Sequence, residues 1–137
     1  MFGCEVRVVG PRTLLPPAVD SLGVRVFDRL ADALEGADVV MVLRIQRERL
    51  AGALLPSLRE YARTFGIGPA AIAHAKPDAI VMHPGPMNRG IEIENIIADG
   101  ERSVILEQVE AGVAVRMALL YLFAGEATEA PAVGEAD

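Results

Sequence analysis

Cysteine occurs once in these 137 residues, at Cys4, so no internal disulfide and no thiolate metal cluster can form. The two histidines, His74 and His83, are too few and too isolated to suggest a zinc site. Tryptophan is absent and aromatics make up only 4% of the chain. No apolar run reaches the roughly 18 residues that a membrane span requires. Met1–Glu5 lacks the basic stretch of a signal peptide, which leads us to expect a soluble cytoplasmic protein with no membrane partner. Positive charge is also scarce. The formal net charge of −6 argues against nonspecific nucleic-acid binding, which needs a basic surface.

What charge there is lies unevenly. Nine of the 13 Lys and Arg fall in the first 66 residues beside eight acids, while the later 71 residues hold four bases and eleven acids. Arginines of the first half could therefore still form a local anion site. The chain is 52% hydrophobic and rich in Ala, Val and Leu, a globular profile at the size of one ordinary domain.

Alternation of apolar and polar residues predicts strands at Cys4–Val9 and Val24–Phe27, with Gly10-Pro11 stopping the first. Pro16-Pro17 starts a short helical piece. Asp28 caps a predicted helix through Leu34, closed by Gly36. Ala37–Leu43 is apolar throughout except for Asp38, the mark of a strand buried on both faces of a parallel sheet. Ser57–Phe65 and Pro69–Ala75 read as helices, Ala79–Met82 as a second buried strand, and Glu94–Ile97 as a short helix. In the last helix, Ser103–Ala124, the residues Leu106, Val109, Val113, Met117 and Leu120 step by three and four, which predicts a buried stripe. Residues 126–137, rich in Ala, Glu and Pro, read as an acidic flexible tail. Strands alternating with helices predict an α/β class: a three-layer, mostly parallel sheet flanked by helices. Ligands of such sheets sit at the carboxyl ends of strands, where Arg44–Arg49 and His83–Arg89 both follow.

Three groups of residues carry chemistry. Arg44 and Gln46 are two apart at a strand end and leave on one face. A guanidinium fork beside an amide suits a carboxylate, although the same residues also read as a solvated charged turn. In His83-Pro84-Gly85-Pro86 two prolines remove two backbone donors and leave carbonyls free for a ligand, and a cis Gly85–Pro86 bond is one way to fold the loop back. The plainer reading is a rigid turn, with His83 packed or capping. Arg116 is the only charge between Val113 and Ala124 and must find an anionic partner or snorkel outward.

Taken in order, Val39–Leu50 (VVMVLRIQRERL), His83–Ile93 (HPGPMNRGIEI), Ile105–Val109 and Gly112–Ala118 resemble the bacterial aspartate carbamoyltransferases, from about Gly3 to Gly125. The related ornithine enzymes typically carry a cysteine where Pro84 stands. The resemblance implies that residues 1–125 are part of an aspartate-binding domain whose sheet is incomplete at its amino-terminal strand. It implies carbamoyl transfer from carbamoyl phosphate to the α-amino group of L-aspartate, the committed step toward pyrimidines, in a trimeric catalytic assembly with no cofactor. On that reading Arg44 and Gln46 hold aspartate. Pro84 and Gly85 accept hydrogen bonds through their carbonyls from the carbamoyl and amino nitrogens, and Pro86 sets the turn. Arg49, His83 and Arg116 are supporting residues. The family's Ser-Thr-Arg-Thr phosphate loop, its His-Pro-Thr-Gln segment and a second aspartate-binding arginine have no counterpart here, so the chain alone is expected to be inactive. Met1 is then an internal methionine, a boundary or a true start. A noncatalytic binding or assembly module, and a carbamoyltransferase for another amino acid, are the alternative readings.

Overall fold

The computed structural model describes residues 3–46 and 57–124; Arg49 and the predicted acidic tail lie outside them. Strand β1 (Arg7–Val9) leads through two short 3-10 turns, Arg12–Leu14 and Val19–Leu22, to β2 (Arg25–Phe27) and helix α1 (Leu30–Leu34). Strand β3 (Val39–Met41), helices α2 (Leu58–Phe65) and α3 (Pro69–Ile72), and strand β4 (Ile80–Met82) follow. Helices α4 (Asn95–Ala98) and α5 (Ile105–Ala124) complete the described chain.

Local chemistry accounts for most of these boundaries. The Ser57 side chain accepts from the Glu60 backbone N–H at 3.0 Å and caps α2. Pro69 opens α3, where its missing N–H costs no helical bond. Gly36, at φ +64°, ends the α1 turn in a conformation that a residue with a Cβ rarely adopts. Asp28 does not cap α1, contrary to expectation. Its carboxylate instead takes a two-pronged contact from Arg12, at 2.5 Å and 2.8 Å, which ties the loop after β1 to the end of β2. A charge-assisted fork outweighs a single capping bond.

The strands pair parallel, as the alternation of elements predicts, but in two separate ladders. Arg7, Val8 and Val9 face Arg25, Val26 and Phe27; Val39, Val40 and Met41 face Ile80, Val81 and Met82. Among the described residues no ladder joins the two pairs. On the far side of β4, Val81 donates to the Arg102 carbonyl at 2.8 Å and accepts from the Val104 N–H at 2.9 Å, which anchors the start of α5.

The core gathers Leu34, Val40, Val42, Ile67, Ile72, Ala79, Val81, Ile93, Ala98 and Ile105 under one face of β3–β4. The expectation that Ala37–Leu43 is buried on both faces fails. Val40 is 5% exposed, whereas Val39 and Met41 are about half exposed at 50% and 48%. That second face is only partly covered, by Gln108 of α5, whose Nε2 donates to Met41 Sδ at 3.8 Å.

The predicted buried stripe on α5 also fails. Only Ile105 is buried; Leu106, Val109, Val113, Met117 and Leu120 are all exposed, Leu106 at 81%. The opposite side carries Val115, Leu119, Leu122 and Phe123, exposed as well, so α5 is apolar around its circumference. Such a helix is suited to burial on several sides, and periodicity alone assigns it no single inner face.

Candidate functional site

Strands β3 and β4 run side by side to the same end, and Val42 N–H still bonds the Met82 carbonyl at 2.9 Å beyond the ladder. The segments leaving that end are the two that sequence spacing singles out. After β3 the strict alternation breaks, because Val42 and Ile45 are both buried with Leu43 exposed between them; around Ile45, Arg44 is half-buried and Gln46 is exposed, so the two polar residues flank a buried side chain.

After β4 the chain enters the proline turn at a fully buried histidine. His83 has no solvent exposure, and its backbone N–H donates to Gln108 Oε1 of α5 at 2.9 Å. Gly85 N–H donates back to His83 Nδ1 at 2.9 Å. An Nδ1 that accepts a hydrogen bond leaves the ring proton on Nε2, the neutral tautomer. The Gly85–Pro86 peptide is cis and Gly85 has φ +64°. The turn itself, Pro84 to Pro86, lies toward the surface.

His83 Nε2 faces Glu92 Oε1 at 3.5 Å, too long for a good hydrogen bond, and has no other partner among the described residues. Glu92 is 1% exposed. Its carboxylate accepts from the Asn88 backbone N–H through Oε1 and from Asn88 Nδ2 through Oε2 at 3.2 Å. Asn88 Nδ2 also donates to the Ile45 carbonyl at 3.0 Å. The two loops are thus joined by side chains to which sequence reasoning assigned no role: Asn88, Glu92 and Gln108. A signal was present in Ile91-Glu92-Ile93, where an acid between two isoleucines must find donors if it is buried.

Burial lowers the His83 pKa below its ordinary value of 6.5, with Glu92 opposing the shift. The neutral ring is also what the Gly85 contact demands, since a proton on Nδ1 would break it. A base whose folded pKa is depressed leaves the unfolded chain binding more protons, so stability is lost as pH falls below about 6.5. We expect the His83 imidazole, followed by NMR, to titrate below that value while the thermal midpoint drops on acidification. A His83 midpoint at or above 6.5 would refute the neutral assignment.

Arg116 lies on the exposed part of α5, and its guanidinium folds back over Gly112; no described contact brings it to the turn. Arg89 pairs with Asp99 at 2.7 Å and 2.8 Å on the surface. Among the described residues no three His, Cys, Asp or Glu side chains converge as a metal cage, and no helix is long and apolar enough to cross a membrane.

The family profile described as "Aspartate/ornithine carbamoyltransferase, Asp/Orn binding domain" matches residues 1–123. The chain belongs to this family. The aspartate carbamoyltransferase catalytic subunit of Sorangium cellulosum is 68% identical over 98% of the chain, and that of Syntrophotalea carbinolica 63% over 90%. The chain spans only 42% and 40% of those relatives' length. Ornithine carbamoyltransferase from Pyrococcus furiosus superposes with a TM-score of 0.76 at 25% identity, over 92% of this chain and 44% of that one. The α/β carbamoyltransferase fold is therefore present in part, with parallel strands flanked by helices.

Proposed function

We propose that residues 1–125 form the aspartate-binding part of a cytoplasmic aspartate carbamoyltransferase catalytic subunit that assembles as a trimer. The observation that carries this reading is the convergence of the Arg44–Gln46 strand end and the His83–Pro86 turn at one end of β3 and β4, bridged by Asn88. The Arg44 fork suits the side-chain carboxylate of an aspartate acceptor and would repel a cationic ornithine side chain. Gln46 adds amide contacts to the bound amino acid. Carbonyls of Pro84 and Gly85 accept from the carbamoyl and amino nitrogens, and Pro86 holds the turn. Arg49 and His83 support the site, His83 from beneath the turn, whereas Arg116 on exposed α5 has no described contact with it.

In the reaction the aspartate amine attacks the carbamoyl carbon. The new N–C bond forms as the C–O bond to phosphate breaks and an amine proton is released. These residues do no covalent chemistry. They position a nucleophile against an electrophile, which accounts for large rate factors when the geometry is close to attack. Charge on the departing phosphate is left to the part of the subunit that this chain does not include.

A hybrid in which this chain replaces the matching residues of the Sorangium cellulosum subunit tests the proposal. We expect N-carbamoyl-L-aspartate to form from carbamoyl phosphate and L-aspartate, with no turnover of L-ornithine and none by the chain alone. A folded hybrid without aspartate turnover would favour a noncatalytic module. Preference for another amino acid would favour a retuned carbamoyltransferase.

A further inference from the structure

Asn88, three residues after Gly85 on the loop that leaves β4, reaches the other candidate substrate loop with its side-chain amide. Its Nδ2 reaches the Ile45 carbonyl at 3.0 Å and Glu92 Oε2 at 3.2 Å, which uses both of its hydrogens. The Ile45 carbonyl belongs to the peptide between Ile45 and Gln46, so fixing it orients Gln46 directly and Arg44 one residue earlier. On the other side, Glu92 is buried and also holds the Asn88 backbone N–H. It faces the His83 ring, whose Nδ1 takes the Gly85 N–H. Hydrogen bonds therefore run from the strand end that bears Arg44 through Asn88 to Glu92, which packs at 3.5 Å against the His83 ring beneath the proline turn.

We infer that Asn88 is a positioning residue that sets the register between the amino-acid-binding strand end and the carbamoyl-binding turn, without touching substrate itself. The inference rests on the functional reading above. A nucleophile held by one loop and an electrophile held by the other react at a rate that depends steeply on their separation. A misplacement of about 1 Å can cost on the order of 100-fold. Among the described residues no ladder bond joins the two loops beyond Val42–Met82, and the Asn88 bridge extends their registration outward from the sheet.

The test uses the active hybrid subunit and compares Asn88→Ala, Asn88→Gln and, on the exposed Arg89 contact, Asn95→Ala. We expect kcat per folded site, measured well below the melting temperature, to fall about 10-fold or more in Asn88→Ala. The KM for carbamoyl phosphate should move far less. Asn88→Gln, which keeps the amide at a longer reach, should recover part of the loss. If Asn88→Ala does not fold, a several-fold kcat loss in folded Asn88→Gln supports the same role. Asn95→Ala should match the parent. A merely structural Asn88 would lower the melting temperature and leave kcat and the aspartate KM of the folded enzyme unchanged; that result overturns the inference. A parent hybrid with no aspartate turnover overturns the functional reading and this role with it. An active parent indifferent to both Asn88 variants overturns the positioning role alone.

Discussion

Replacing Arg44 with alanine in the active hybrid is expected to weaken L-aspartate binding by at least about 10- to 150-fold, the range for losing one charge-assisted hydrogen bond. The basis is a charge-assisted, two-pronged contact worth roughly 1.5–3 kcal/mol per hydrogen bond, at about 1.4 kcal/mol per factor of ten. Arg44→Lys should recover little, because an ammonium is a point charge and cannot present the planar fork. Carbamoyl phosphate is held mainly elsewhere, so its apparent affinity should change far less. Steady-state kinetics with each substrate varied in turn checks this. If Arg44→Ala leaves the aspartate dependence unchanged, or weakens both substrates equally, Arg44 is a solvated strand-end charge and not an aspartate ligand. Its half-buried position directly after β3, beside an Ile45 carbonyl held by Asn88, favours the ligand role.

Glu92→Ala should have the largest effect on stability. The carboxylate is 1% exposed and accepts both hydrogen bonds that Asn88 directs at it. Its removal strands the Asn88 backbone N–H, empties a side-chain volume beside Ile93, and leaves His83 Nε2 facing a void. Losing one side of such a buried polar cluster costs about 3–5 kcal/mol, a large share of the roughly 5–15 kcal/mol that holds a domain together. In a chain of this size the melting temperature should fall by about 10 °C or more. Glu92→Gln keeps the shape and one accepting oxygen, but its NH2 opposes the Asn88 amide, so an intermediate loss is expected. Thermal melts of the three chains at neutral pH decide the matter. A Glu92→Ala chain as stable as the parent would mean that the buried cluster contributes nothing net.

Much of the site was legible because its signals are local. Pro84 and Pro86 around Gly85 specify a sharp turn from whichever strand precedes it, and the alternation through Arg44, Ile45 and Gln46 assigns sides without knowledge of the partner. Ser57, Pro69 and Gly36 mark ends of helices through bonds made or forgone within one turn. The residues that join the two loops were not legible as such. Asn88 and Ile45 are 43 positions apart, and no spacing rule links an amide to a carbonyl at that distance.

The amino-acid sequence by itself determined the class of fold, the order of strands and helices, the parallel pairing expected of them, and a family membership carried by ordered motifs. These follow from backbone sterics and short-range hydrogen bonding, which act within a few residues. Tertiary structure decided which faces are covered. It drew Asp28 away from its cap to Arg12, left one side of β3 half-exposed and α5 exposed beyond its first turn, and buried Glu92 beneath the turn. Burial depends on what lies opposite a surface, and the periodicity of a segment shows only that it has an apolar face, not which neighbour is present to meet it.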